Sequence, residues 1–250
     1  MRVAIQLIMR IVRWVFVALG LVGCGTNFNS TSLVITQVGE LRVEIWEEDE
    51  CPSLAGAKVT MNGAPLELSS SGGWVYSRSP SWGGSGRSCD RARWSTLQIP
   101  PETEAFTTFE IEMGDVRASA VFQNLFAQRS ARVIDPPDAV VHPGQPIVVA
   151  WTPETDRFYA TPHEPSENVA VALTPDDSVG SYAYLGNSNQ GEVAVDDNRV
   201  ASVMTALPFE GAGFLSIGAT YGAAVVSCEG FGQCRSRNWE KVLAPVVLVP

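Results

Sequence analysis

From Leu33 onward, apolar and polar residues alternate with a period of two, and glycine, proline, asparagine or aspartate break the pattern every few residues. No stretch of a dozen residues sustains the 3.6-residue period of a helix, so the pattern predicts short strands joined by tight turns. Leu41–Trp46 alternates cleanly, as does Phe109–Met113, which Gly114-Asp115 joins to Val116–Phe122 as a two-residue hairpin. Lys58–Met61 runs into Asn62-Gly63, the dipeptide that best accepts positive φ at both centres of a hairpin turn, and Leu66–Leu68 is expected to return. Pro65 lacks an N–H and confines that return to a sheet edge.

The pattern restarts after Asp135-Pro136-Pro137-Asp138. His142–Pro146 reads as a turn and Ile147–Trp151 as a buried strand, with further strands expected at Asn168–Leu173, Tyr182–Leu185, Gly191–Val195, Ser202–Leu207, Phe214–Tyr221, Ala223–Cys228 and Trp239–Val249. Short strands at this spacing predict an all-β chain of two tandem β-sandwich domains, residues 33–134 and 139–250, with a linker near Asp135–Asp138. The run from Pro143-Gly-Gln-Pro146 through the apolar strand to Trp151-Thr-Pro153 resembles the early strands of bacterial immunoglobulin-like domains. That resemblance implies an immunoglobulin-like sandwich for the second half.

The N-terminal region follows a different rule. Arg2, Arg10 and Arg13 are the only ionised side chains before Glu40, and Trp14–Val22 is an uncharged apolar run followed by Gly23-Cys24-Gly25. Nine residues are too few to span a bilayer as a helix but suit the hydrophobic region of a signal peptide. Met9-Arg-Ile-Val-Arg13 opens like an ordinary signal peptide, which places the expected start of translation at Met9. The last four residues, Leu21-Val22-Gly23-Cys24, resemble the lipobox of bacterial lipoproteins. The resemblance implies cleavage after Gly23, acylation of Cys24, a lipidated polar tether over residues 24–32, and a lipid bilayer as partner; Gly25, where an inner-membrane retention signal would have Asp, points to the outer membrane. Residues 1–23 would then be removed.

The remaining cysteines are Cys51, Cys89, Cys228 and Cys234. An even number in a secreted chain reads as disulfides, and three pairings are open. The pairing that keeps each bridge inside one candidate domain is Cys51–Cys89 with Cys228–Cys234, the latter pinching the Glu229–Gln233 loop of the last hairpin.

Charge narrows the partners. Without Arg2, Arg10 and Arg13 the body keeps 14 basic against 27 acidic side chains, which argues against nucleic acid. Candidate chemistry is sparse. Gly83-Gly-Ser-Gly-Arg87 comes closest to a nucleophile elbow and departs from it at Arg87; His142 and His163 both adjoin prolines in turns. Paired carboxylates at Glu47–Glu50, Asp176-Asp177 and Asp196-Asp197 form no motif. The chain therefore reads as non-enzymatic, without catalytic residues, cofactor or resident metal, and with a structural or partner-binding role at the cell envelope. The alternative is a carbohydrate-binding accessory lipoprotein using the Trp/Arg-rich segment 74–94, where Trp82, Arg78, Arg87, Arg91 and Arg93 are the candidate ligand-binding residues for an envelope glycan. A competing role for Arg87, Arg91 and Arg93 is neutralisation of Glu47–Glu50, drawn close by Cys51–Cys89, with Trp74 and Trp94 as core anchors.

Overall fold

Alternating burial is carried through into strand pairing. A computed structural model describes residues 28, 31–38, 40–46, 51, 53–78, 85–159, 169–175, 183–188, 193–196, 198–203 and 209–250. In chain order the first strands are β1 (Ser32–Val38), β2 (Glu40–Trp46), β3 (Lys58–Met61), β4 (Ala64–Pro65), β5 (Glu67–Arg78), β6 (Ser85–Thr96), β7 (Phe106–Met113) and β8 (Val116–Gln123). They build the order β1-β2-β6-β5 in one sheet and β8-β7-β3-β4 in the other. Named by position, these are strands A-B-E-D against G-F-C-C′, the immunoglobulin arrangement. Between the sheets lie Leu33, Ile35, Leu41, Val43, Ile45, Trp94, Phe109, Ile111 and Phe122, all at or below 1% exposure.

The next strands are β9 (Ser130–Asp135), β10 (Val140–Val141), β11 (Pro146–Thr152), β12 (Arg157–Phe158), β13 (Val169–Thr174), β14 (Ala183–Asn187), β15 (Val193–Asp196), β16 (Arg199–Val203), β17 (Gly211–Gly222), β18 (Ala224–Glu229), β19 (Gln233–Ser236) and β20 (Asn238–Leu248). Sheet β15-β16-β11-β9 faces sheet β10-β20-β17-β13-β14 around Trp151, Val171, Leu173, Leu215 and Ile217. This is again the immunoglobulin order, with β10 added in parallel to the last strand. The protein is all-β, two immunoglobulin-like sandwiches in tandem.

Local chemistry explains the turns. Asn62 and Gly63 both take positive φ, 50° and 79°, as the hairpin requires. The return strand is shorter than the expected Leu66–Leu68: only Ala64 and Pro65 pair with β3, Leu66 N–H makes one more bond to Val59 O at 2.9 Å, and the chain then crosses to the other sheet. Pro65 has no N–H to extend the ladder, and β4 is indeed the edge.

Two pairings depart from the expected division at Asp135–Asp138. That segment is not an interdomain linker, because β9 pairs with β11 of the second sandwich. Pro136-Pro137 interrupts the ladder and moves the chain from one sheet, through β9, to the other, through β10. The connection between the sandwiches is Asn124–Arg129. The second departure concerns residues 224–236. β18 pairs with β8 and β19 with β1, so this segment of the second half adds one strand to each sheet of the first sandwich. Cys228–Cys234 pinches the expected loop, with Cα atoms 5.8 Å apart, yet the flanking strands run into opposite sheets rather than pairing with each other.

Candidate functional site

Three places gather polar or aromatic groups that the cores do not explain. The first is the end of the first sandwich where the chain enters. Phe28 is 1% exposed and packs against Phe231 with ring centroids 5.8 Å apart. Its carbonyl accepts from the Thr31 N–H at 2.9 Å, the Thr31 hydroxyl at 2.7 Å and the Gly232 N–H at 3.2 Å, and Gly232 also donates to Thr31 O at 2.9 Å. Residues 28 and 31–32 are therefore held by the Cys228–Cys234 loop, where a polar tether over residues 24–32 was expected. Burial of one aromatic ring and satisfied backbone groups outweighs the polar neighbours. Gly230 at the loop tip has φ +76°, and an added Cβ would sit 2.9 Å from Ala118 Cβ and Arg117 O. No larger residue closes the loop so tightly.

The second place is the β5–β6 hairpin. Among the described residues β2 pairs with β6 over Ala92–Thr96, and Gly73–Arg78 and Ser85–Arg91, paired with each other, extend as a two-stranded arm past the described end of β2. Cys51–Cys89 fastens the arm's base. Along β6, Ala92 and Trp94 are buried, while Arg91 and Arg93 alternate with them on the outer face and share Glu44 at 3.3 and 3.1 Å. The neutralising carboxylate for these two is thus Glu44, one strand over, whereas Glu47–Glu50 lie outside the described residues. Trp94 anchors the core as expected. Trp74 does not: it is 48% exposed, opposite Cys89 on the arm, because the second sheet does not extend that far. Trp82 falls outside the described residues; Arg78 and Arg87 are placed by backbone register, opposite Ser85 and Tyr76.

The third place is the junction, and the sequence pattern gave no signal for it. Arg129, 7% exposed, donates to the carbonyls of Leu125 (3.0 Å), Ala127 (2.5 Å) and Asn124 (2.9 Å) and to both Asp156 oxygens (3.1 and 3.4 Å). Its guanidinium lies 4.6 Å over the Tyr221 ring, and Trp151 Nε1 donates to Asp156 Oδ2 at 3.1 Å. Burial pushes the Asp156 carboxyl above its ordinary value, outweighing the opposing pull of Arg129. Burial likewise pushes the Tyr221 hydroxyl well above 10. The cluster organises backbone and presents no open face to a ligand.

Chemistry beyond binding finds little material. Among the described residues no three His, Cys, Asp or Glu side chains converge as a metal site. Asn198, two residues after Asp196, donates to Trp151 O at 2.9 Å and ties the start of β16 to β11. His142 is exposed in its turn; His163 lies outside the described residues. A surface depression of about 480 Å³ is lined by Glu110, Glu112, Arg117 and Glu229, with Arg117 paired to Glu112 at 3.1 Å.

No family model matches the chain, and no curated protein does. Solved structures with a similar chain trace include a chimeric titin Z1Z2-Z1Z2 tandem, 14% identical, covering 90% of this chain and 99% of that one at a TM-score of 0.21. Three N-terminal domains of the outer capsid protein Hoc of bacteriophage RB49 are 8% identical, covering 88% and 67%, at 0.26. Titin domains Z1Z2 in complex with telethonin are 13% identical, covering 90% and 97%, at 0.19. These likenesses are too distant to carry a function; the fold rests on the strand order above.

Proposed function

We propose that the chain is a bacterial envelope lipoprotein, held by acyl groups on Cys24, whose two sandwiches serve a structural or partner-binding role without catalysis. The observation that supports it is the balance of cysteines. The sequence has five, and Cys51–Cys89 and Cys228–Cys234 are bonded to one another. Cys24 is left over, and it is the one that follows an apolar run at the position where a lipobox cysteine stands. Both bridges belong to an oxidising compartment, and two or more acyl chains would hold the body stably where one would not. An outer-membrane address follows from Gly25 in the same reading.

Expression in a bacterial host fed an alkyne-bearing fatty acid tests the proposal. The wild-type chain is expected to take up label and fractionate with membranes; Cys24→Ser is expected to lose both while its body still folds. Label retained by Cys24→Ser would refute the anchor.

A further inference from the structure

The strand register brings the β5–β6 arm and the N-terminal segment to the same end of the molecule. Ser32 at the start of β1 lies opposite Trp46 at the end of β2 and beside Gln233 at the start of β19. Ala92 lies opposite Ile45, so the rest of β6 back to Ser85 runs past the end of β2 on the side where the chain enters. The second sandwich occupies the opposite end, where Gln37 N–H bonds Asn238 Oδ1 and Arg237 N–H bonds Ile35 O.

Lengths turn this into a constraint. Because Phe28 is clamped, at most four Cα steps separate Cys24 from the body, about 14 Å when fully extended. The arm, from Arg91 to Ser85, reaches about 20 Å beyond β2 at the usual rise per residue. A protein tethered so closely cannot hold this end away from the surface that bears its anchor. Resting on the acylation of Cys24 proposed above, we infer that the β5–β6 arm is a second membrane contact, engaging phospholipid headgroups of the bilayer that carries the acyl chains.

The arm's composition fits that partner. Gly73–Arg78 and Ser85–Arg91 carry Trp74, Tyr76, Arg78, Arg87 and Arg91 against the single carboxylate Asp90. Guanidinium forks match phosphate geometry, and Trp and Tyr favour the headgroup level, where one end of the ring is apolar and the other wet. The rest of the body is strongly acidic and is repelled by anionic surfaces; the arm supplies positive charge where the approach is closest. Arg91 is paired with Glu44, and Arg78 and Arg87 follow further out along the strands.

The test uses acylated full-length protein, its acylation checked by mass, in vesicles of phosphatidylethanolamine and phosphatidylglycerol containing a nickel-chelating lipid. A nitroxide on Ser85→Cys, at the outer end of β6, is compared with one on His142→Cys, exposed at the far end of the second sandwich. The expected result is strong relaxation of the Ser85 label by headgroup nickel, none at His142, and a clear fall at Ser85 in the Arg78→Glu, Arg87→Glu double variant. An acylated protein whose Ser85 label is relaxed no more than the His142 label overturns the inference and leaves the anchor standing. Relaxation that survives the double charge reversal also overturns it, since proximity alone would then explain the signal. A chain carrying no acyl groups overturns the inference and the proposed function together.

Discussion

Arg129 does more with one side chain than any other residue described. It donates to three carbonyls of the connecting segment, which needs such partners where it is buried, and it neutralises Asp156. Removing one member of a buried pair strands the other, so Arg129→Met is expected to lower unfolding stability by about 3–5 kcal/mol, read from urea titration. Tyr221 provides a signal in pH. Its hydroxyl is held protonated by burial, whereas in the unfolded chain it ionises near its ordinary value of about 10. A raised pKa means stability that is complete below that value and lost as pH rises above it. Tyrosinate absorbance at alkaline pH should therefore rise in part only as the fold is lost, and Tyr221→Phe should remove one tyrosinate from that step. Neither role was legible beforehand: Arg129 and Asp156 are 27 positions apart, and a charged pair spends no apolar residue that a periodicity would register. Trp151 was legible, because it ends an apolar run that only a core could absorb.

Most strands could be read from alternation, and the turn at Asn62-Gly63 from the φ angles those residues tolerate. What alternation omits is the partner of each strand. Ala223–Cys228 reads as an ordinary strand of the second sandwich, yet the chain runs from the junction along the first sandwich, turns at Gly230 and returns. Such a pairing depends on contacts a hundred residues apart and leaves no local mark. The same holds for Pro136-Pro137, whose break in the pattern signals a change of sheet as readily as a change of domain. Because β18 and β19 complete both sheets of the first sandwich, residues 28–123 alone are expected not to fold, and the whole chain is expected to unfold in one transition by fluorescence and circular dichroism; two separated transitions would refute the interlock. Opening Cys228–Cys234 by a double alanine substitution should cost about 2.5 kcal/mol on the loop-entropy model, and opening Cys51–Cys89 about 4. Phe28→Ala should cost about 3 kcal/mol, because it empties the end of the core that the Phe231 loop closes.

At the scale of the whole molecule, the two sandwiches and the N-terminal segment form one mechanical path. The second sandwich sends β18 and β19 along the first, and their connecting loop holds Phe28 and Thr31. Cys228 and Cys234 stand far along the chain from Phe28, and the packing of their loop against that ring is visible only in three dimensions. The candidate ligand segment was legible in composition, since Arg and Trp crowd residues 74–94; its position beside the entering chain was not, because register, and not composition, decides which end of a sheet a hairpin leaves. Acylation at Cys24 and a body closed by two bridges are both read by the intact mass of membrane-extracted protein before and after reduction. The expected mass is that of residues 24–250 plus acyl groups, rising by two hydrogens per bridge on reduction. A mass that retains residues before Cys24, or lacks acyl groups, would contradict the anchor; one unchanged by reduction would contradict the bridges.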